Sequence, residues 1–186
     1  IGKVTKNNVL EEIFIQDKTD SLNLVEYFSR SGYVNIDHAI NLRLIKAAEK
    51  FKADVIVQLT ADNPFIDPKI IDYMILFFKK NMNNYQYVSN CGLGDYSKSH
   101  VPLGFNTQIF MLKHLKANYK YCKKKDLKEH PSLYFYREGK KKFKIKNLKM
   151  PKEWCSKLQP RLTLDTKEDF IFLKKIYKKL KNIKNF

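Results

Sequence analysis

Two aspartates follow short apolar segments that lie far apart in the chain. Asp62 comes shortly after the mainly apolar segment Val-Ile-Val-Gln-Leu at residues 55–59, and Asp165 ends the segment Arg-Leu-Thr-Leu-Asp at residues 161–165. Ligands of open parallel sheets bind beyond the carboxyl ends of the strands, and magnesium is usually held by carboxylates together with substrate phosphates. The pattern predicts that Asp62 and Asp165 are catalytic residues that bind Mg²⁺. A turn in which Asp62 only accepts backbone hydrogen bonds is the alternative.

The neighbours of the two aspartates indicate how each carboxylate is used. Asn63 precedes Pro64, and a residue before proline avoids the helical conformation, so we expect an extended loop that holds Asp62 in place. Thr166 and Asp169 have the spacing of a capping box, which assigns Asp169 to the start of a helix. Asp165 is then the acid of this segment that remains for a ligand.

Helices and strands alternate around Asp62. Apolar residues recur at helical spacing over residues 37–52, and the unbroken apolar run 55–57 follows, which is typical of a strand covered on both faces. Asp67 and Pro68 have the residue types of an N-cap and a first helical position. The apolar face that follows them predicts a helix to about Asn83.

Further strands and one more helix are predicted downstream. Strand-like patterns recur at residues 87–89, 107–111 and 161–164. Residues 142–148 alternate as an edge strand with lysines outward. A final helix begins at Thr166, and four of its apolar residues are predicted to face inward: Phe170, Leu173, Tyr177 and Leu180. The long irregular segment 90–106 has a length that is usually functional in a compact domain.

Size and composition place the chain in a broad class. With 186 residues and 44% hydrophobic content, it is predicted to form one α/β domain over residues 1–186. No run reaches the ~18 apolar residues of a membrane span, and residues 1–10 lack the apolar core of a signal peptide. We therefore expect a cytoplasmic protein that makes no membrane contact. Cys91, Cys122 and Cys155 are widely spaced, which favours free thiols over a disulfide frame or a zinc site.

The formal net charge of +17 raises the alternative of a lysine-rich nucleic-acid-binding protein. Only four of the 36 basic residues are arginine, the residue that forked phosphate and base contacts favour. Nucleic acid is therefore an unlikely partner, and the lysines are consistent with a compositional bias.

Several segments resemble the cytidylyltransferases of the spore-coat polysaccharide and acylneuraminate type. The segments follow the family's order between about Val25 and the end of the chain: residues 53–68, Tyr-Val-Ser-Asn at 87–90, Pro-Leu-Gly-Phe-Asn at 102–106, Glu-His at 129–130, Leu-Thr-Leu-Asp-Thr at 162–166, and Glu-Asp at 168–169. The resemblance implies a glycosyltransferase-A-like, Rossmann-like fold of nucleotide-diphospho-sugar transferases, with a mostly parallel sheet flanked by helices.

The resemblance also implies an activity and a set of site residues. Such an enzyme transfers CMP from CTP to a sugar acid, releases pyrophosphate, and makes CMP-sugars for a surface polysaccharide or glycan. Mg²⁺ is the implied cofactor, with Asp62 and Asp165 as its ligands. The implied substrate-binding residues are Thr60, Asn63, Asn90, Pro102, Gly104, Asn106, Glu129 and His130. Homodimerisation is left open.

The chain also departs from the family pattern. We expect the family's first strand and its N-terminal nucleotide-binding loop to be absent from this chain, which would make it active only when that segment is supplied. Ala61 replaces a usual glycine, Asn106 stands where an acid is frequent, and Pro131-Ser132 replaces a usual Val-Thr. These departures keep a second alternative open, a non-catalytic remnant or one half of a split cytidylyltransferase that acts as an interaction module.

Overall fold

The computed structural model describes residues 2–4, 10–12, 40–99, 101–130, 132–155, 158 and 160–181, with the backbone alone for 2–4 and 10–12 and without the side chains of Tyr96 and Glu129. Its strands are Gly2–Val4 (β1), Leu10–Glu12 (β2), Val55–Gln58 (β3), Tyr87–Ser89 (β4), Gln108–Met111 (β5) and Ile145–Asn147 (β6). Its α-helices are Ile40–Lys50 (α1), Pro68–Asn81 (α2), Leu112–Tyr119 (α3), Lys125–Glu129 (α4), Leu133–Tyr136 (α5) and Lys167–Leu180 (α6). Short 3₁₀ turns occur at Gly92–Gly94, Tyr96–Lys98 and Lys152–Trp154.

Four strands form one sheet in the order β3-β5-β4-β6, and β1 and β2 form a separate antiparallel pair. The backbone bonds beside β5 show that it runs against both of its neighbours. Leu112, directly after β5, donates its N–H to the carbonyl of Asp54, directly before β3 (2.8 Å). Asn90, directly after β4, donates to the carbonyl of Thr107, directly before β5 (3.4 Å). Both strand pairs are therefore antiparallel.

The edge strand β6 runs parallel to β4. The N–H of Gln86 donates to the Lys144 carbonyl (2.9 Å), where both residues directly precede their strands, and Leu148 after β6 donates to Ser89 at the end of β4 (2.7 Å). Since β3, β4 and β6 share one direction and β5 opposes them, the sheet is mixed, with two antiparallel strand pairs and one parallel pair. The predicted α/β fold and the predicted edge strand are confirmed.

The chain divides into two compact units. The first contains the described residues of Ile1–Val57 together with Asn81–Val88 and Ile109–Lys146, and the second contains Gln58–Lys80, Ser89–Gln108 and the described residues of Asn147–Phe186. The first unit has an aromatic core in which Tyr87 stacks on Phe135, with 5.1 Å between ring centroids, and Phe110 packs against both rings. All three side chains are fully buried. Whether the units act as the single predicted domain stays a prediction.

The helices that flank Asp62 agree with their sequence patterns. Helix α1 occupies residues 40–50 of the predicted 37–52, and residues 37–39 lie outside the described part. Helix α2 begins at Pro68, and the side chain of Asp67 accepts the N–H of Lys69 (2.8 Å), as an N-cap does. None of the described helices is long and apolar enough to cross a membrane.

Two predictions about the C-terminal part were wrong. Residues 161–164 do not form a strand, because Arg161 makes only an isolated parallel bridge with Leu103. In α6, Leu173 is buried as predicted, but Phe170 and Tyr177 are each 52% exposed. Apolar spacing marked both as inward residues, but the described chain packs nothing over them closely enough to bury them.

Candidate active site

The candidate site lies in the second unit, where Asp62 follows the carboxyl end of β3. A tight turn comes first: the N–H of Asn63 donates to the Thr60 carbonyl (3.1 Å), and Asn63 Nδ2 donates to Thr60 Oγ1 (2.9 Å). Asn63 is buried and Thr60 is exposed. The turn fixes the backbone on both sides of Asp62, and the extended conformation expected for Asn63 stays a prediction.

The structure brings the segments of Asp62 and Asp165 together. The N–H of Leu164 donates to the carbonyl oxygen of Asp62 (2.8 Å), so Asp165 follows directly after the residue that bonds to Asp62. Both acids belong to the second unit. The two segments therefore lie side by side at the level of the backbone, and the assignment of their carboxylates to a metal stays a prediction.

Asp165 is held by two side chains. The Nη2 of Arg161 and the Oγ1 of Thr163 (3.0 Å) both donate to its Oδ2 oxygen. Arg161 also donates from Nη1 to Asp169 Oδ1 (2.7 Å) and so joins the two acids. The hydrogen bond to Asp165, together with the charges of Asp165 and Asp169, raises the pKa of the Arg161 guanidinium against an opposing effect of burial.

The carboxylate of Asp169 forms hydrogen bonds at the N-terminus of α6. Its Oδ2 accepts the N–H groups of Asp165 (3.0 Å) and Thr166 (2.8 Å), and the N–H of Asp169 donates to Thr166 Oγ1 (3.2 Å). Partial burial would raise the pKa of Asp169, but these backbone and side-chain hydrogen bonds outweigh it and keep the pKa below its ordinary value. The predicted capping box is confirmed.

Gly104 allows the loop at residues 102–106 to lie against the segment that carries Asp165. A Cβ at this position would stand 2.8 Å from the carbonyl oxygen of Leu162 and 2.9 Å from its carbonyl carbon, and Gly104 has φ +114°. The N–H of Leu162 donates to the Leu103 carbonyl (2.7 Å). Any other residue at 104 would push the two backbones apart.

Asn90 ties the same loop to the end of β4. The side chain is buried, its Nδ2 donates to the Phe105 carbonyl (3.0 Å), and its Oδ1 accepts the N–H of Thr107 (2.8 Å). Pro102 is buried in the loop. Asn90 and Pro102 therefore help to hold this loop in place. Whether they also contact substrate stays a prediction.

Several buried oxygens of the second unit lack hydrogen bonds. Within the described part of the chain, no partner reaches Gln58 Oε1, Asp62 Oδ1, Asn63 Oδ1, Asn106 Oδ1 or Thr107 Oγ1. A buried polar atom without a partner is costly and is normally satisfied by something. All five are hard oxygen atoms, the kind that Mg²⁺ prefers, and Asp62 Oδ1 is a carboxylate oxygen of the type that holds this ion. The described residues contain no cluster of three or more His, Cys, Asp or Glu side chains able to hold a metal, so protein ligands would be few and substrate phosphates would complete the shell.

The buried Cys91 thiol of this unit is not a nucleophile at neutral pH. Burial raises the pKa of Cys91 against the opposing hydrogen bond of Ser89, so the thiol stays protonated at neutral pH. Ser89 Oγ and Cys91 Sγ lie 2.8 Å apart. Cys155 is exposed and Cys122 buried, and all three thiols are free, as predicted.

Glu129 and His130 belong to the first unit. Glu129 is the last residue of α4, and its side chain lies outside the described part; His130 is exposed and caps that helix through its N–H to the Asp126 carbonyl (2.9 Å). Their predicted place on the sugar side of the site stays a prediction.

Sequence reasoning missed the contacts that hold Asp165. Arg161 and Thr163 precede it in an extended segment, and nothing in their spacing indicates that Arg161 reaches two acids at once. One clue was available in the sequence: Arg161 is one of only four arginines in a chain that otherwise uses lysine. The planar guanidinium of arginine can donate to two carboxylates at once, which the amine of lysine does less well.

The mixed sheet is flanked by helices, and Asp62 and several polar residues follow the carboxyl end of β3. Together with the solved structure described below, this arrangement confirms the predicted glycosyltransferase-A-like, Rossmann-like α/β fold. Residues 4–185 match the model of the family described as cytidylyltransferase. The chain belongs to the cytidylyltransferase family.

Two curated relatives and one solved structure are similar to the chain. The spore coat polysaccharide biosynthesis protein SpsF of Bacillus subtilis is 32% identical over 137 residues, which cover 74% of this chain and 52% of SpsF. An uncharacterised protein of Methanocaldococcus jannaschii is 32% identical over 176 residues, which cover 91% of this chain and 67% of that protein. A cytidylyltransferase from Leptospira borgpetersenii has a TM-score of 0.64 and 26% identity, and the match covers 92% of this chain and 76% of that one. The chain thus spans about half to two thirds of the curated relatives it matches.

Proposed function

We propose that this chain is the core of an enzyme that transfers CMP from CTP to a sugar acid and releases pyrophosphate, with Mg²⁺ held by Asp62 and Asp165. The product would be a CMP-sugar for a surface polysaccharide or glycan, in line with the printed name of the Bacillus relative. The observation that carries the proposal is the backbone bond from Leu164 to Asp62 (2.8 Å), because it places the two acid-bearing segments side by side.

The reaction itself needs positioning more than covalent chemistry. The anomeric hydroxyl of the sugar acid attacks the α-phosphate of CTP in line, a new P–O bond forms, the bond to pyrophosphate breaks, and the hydroxyl proton is released. Phosphoryl and nucleotidyl transfers of this kind depend on orientation and charge stabilisation. Bound Mg²⁺ would neutralise charge on the phosphate oxygens. The protonated thiol of Cys91 fits a mechanism without a covalent enzyme intermediate.

The residues of this chain have distinct parts in that proposal. Asp62 offers an oxygen, Oδ1, that is buried and has no hydrogen-bond partner within the described part, and Asp165 is held in a defined orientation by Arg161 and Thr163. Asn63 and Asn106 each add an unpartnered amide oxygen that could accept hydrogen bonds from ribose or sugar hydroxyl groups. Gly104 keeps the loop of Asn106 against the Leu162 backbone.

The test of the proposal is Asp62→Asn, which keeps the shape of the side chain and removes its charge. We expect pyrophosphate release from CTP and a sugar acid to fall by ~10²-fold or more, the size expected when a group that stabilises transferring phosphate is lost, while the thermal midpoint stays unchanged. The matched control is Asp72→Asn in α2, an exposed acid of the same unit, and it should leave turnover unaltered. Full turnover by Asp62→Asn would remove this residue from the mechanism.

Nucleotide binding separates the enzyme from its two rivals. We expect calorimetric titration of CTP with Mg²⁺ to give one site per chain, with CTP favoured over the other nucleoside triphosphates. Failure to bind CTP would favour the non-catalytic interaction module. Base-selective binding to duplex DNA that persists at high salt would favour the nucleic-acid binder, since generic attraction to lysines fades as salt rises.

A further inference from the structure

Arg161 joins two carboxylates that have different tasks. Its Nη2 donates to Oδ2 of Asp165 and its Nη1 donates to Oδ1 of Asp169 (2.7 Å). Asp169 is already committed to the start of α6 through its other oxygen. Arg161 therefore connects the orientation of Asp165 to a rigid helix end, which a single-nitrogen side chain such as lysine cannot do in the same way.

Both donors to Asp165 act on the same oxygen. Oδ2 accepts Arg161 Nη2 and also Thr163 Oγ1 (3.0 Å), and neither contact involves Oδ1. A carboxylate oxygen has about two acceptor sites, so these two donors use the capacity of Oδ2. Turning Oδ2 toward a bound cation would break the hydrogen bonds from Arg161 and from Thr163 at the same time.

On this basis we propose that Arg161 and Thr163 restrict Asp165 to coordination through one oxygen and thereby make the site select Mg²⁺ over Ca²⁺. The inference rests on the proposed Mg²⁺ site. Mg²⁺ demands a small, near-octahedral shell, which one oxygen from each carboxylate suits, whereas Ca²⁺ accepts six to eight ligands and often binds both oxygens of a carboxylate. Arg161 is then a positioning residue that determines cation specificity without touching the cation.

If Arg161 only stabilised the fold, its removal would lower stability and leave the preference between cations unchanged. Arg161 is 45% exposed, and Asp165 is 50% exposed, and exposed ion pairs contribute little to stability. The N-terminus of α6 keeps its capping box of Thr166 and Asp169 without Arg161. Loss of Arg161 should therefore change the preference between cations far more than it changes folding.

The experiment measures the affinities for Mg²⁺ and Ca²⁺ separately, each by displacement of bound Mn²⁺ followed through the electron paramagnetic resonance signal of the ion. The variants are Arg161→Gln, which removes one donor to Oδ2, and Thr163→Val, which removes the other at nearly constant shape. The matched control is Arg137→Gln, since Arg137 also joins two acids, Asp126 (2.7 Å) and Glu138 (3.2 Å), and is 41% exposed, but lies in the first unit.

The readout is the ratio of the Ca²⁺ and Mg²⁺ affinities. Removing a positive charge strengthens the binding of both divalent ions equally by Coulomb attraction, so that effect cancels in the ratio. We expect Arg161→Gln to shift the ratio toward Ca²⁺ by ~10-fold, the scale seen when a partner of a metal ligand is removed. Thr163→Val should shift it in the same direction by less, and Arg137→Gln should not shift it.

The outcomes separate this inference from the function it rests on. If Mn²⁺ binds and Asp62→Asn abolishes that binding, but the ratio is unchanged in both Arg161→Gln and Thr163→Val, the selectivity inference is wrong and the Mg²⁺ site stands. If the unaltered chain does not bind Mn²⁺, or if Asp62→Asn has no effect on binding, the proposed Mg²⁺ site is wrong and the selectivity inference falls with it.

Discussion

The two units of the chain differ in the kind of side-chain groups that they bury. The core of the first unit is built from stacked rings, with Tyr87, Phe110 and Phe135 fully buried. The second unit holds five of the six buried side-chain oxygens that have no hydrogen-bond partner among the described residues. The sixth belongs to Asn41 of the first unit, whose Nδ2 does donate to the Leu127 carbonyl (2.6 Å).

This difference is consistent with a first unit shaped by packing and, under the proposed function, a second unit shaped by the binding of its ligand. An unsatisfied buried polar group costs about 1–3 kcal/mol, so a set of five in one unit is a liability that a bound ligand could relieve. Stacked aromatic rings gain from burial and contact alone. Substitutions in the first unit should therefore act on stability, and substitutions at the unpartnered oxygens of the second unit should act mainly on binding.

The largest effect on stability is expected from Phe135→Ala in the first unit. Phe135 is fully buried and contacts the rings of Tyr87, Phe110 and Phe143, so its removal leaves a cavity and should cost about 3–5 kcal/mol. Urea denaturation followed by circular dichroism measures the change. The control Leu76→Ala, at a side chain 57% exposed in α2, should change stability far less, and equal losses for both variants would contradict an aromatic core centred on Phe135.

A smaller effect is expected from Asn90→Ala, and it sharpens the comparison inside the second unit. Asn90 makes two hydrogen bonds, to the Phe105 carbonyl and from the Thr107 N–H, and its loss leaves both groups unsatisfied at about 1–3 kcal/mol. Asn106→Ala is the matched variant, because Asn106 Oδ1 has no hydrogen bond to lose among the described residues. We expect urea denaturation to show destabilisation for Asn90→Ala only, and equal destabilisation by Asn106→Ala would mean that the unpartnered oxygens are structural.

The smallest effect is expected at the surface of the first unit, from Glu49→Gln. The hydrogen bond from Lys116 Nζ (2.8 Å) is the main cause that lowers the pKa of Glu49 below its ordinary 4.5, against a smaller opposing effect of burial. A lowered folded-state pKa stabilises the fold above the unfolded-state pKa, and this contribution disappears as pH falls through the folded-state pKa.

The measurement for Glu49→Gln is the thermal midpoint against pH. The variant should melt slightly below the unaltered chain at pH 7, and the two should converge under acid conditions below the lowered pKa. High salt should also reduce the difference at pH 7, because exposed pairs are screened. A difference that grows as the pH falls would contradict the assigned ion pair.

Local patterns predicted the parts of the fold that depend on neighbours in sequence. The N-cap at Asp67 and the capping box at Thr166 and Asp169 were predicted correctly, since each contact spans three residues or fewer along the chain. The prediction that Phe170 faces inward was wrong, because apolar spacing shows which residues share a helix face and not whether another segment covers that face.

By itself, the amino-acid sequence determined the alternation of helices and strands, the family, and the two aspartates that end apolar segments, because periodicity, caps and strand-end acids are written in short stretches of chain. Only the tertiary structure decided that Leu164 bonds to Asp62, that Gly104 lies against Leu162, and that Arg161 joins Asp165 to Asp169. The first two contacts join residues that are far apart in sequence, and the third depends on how the chain turns after residue 164. Which residues meet therefore depends on the fold of the whole chain, and a local sequence pattern does not predict it.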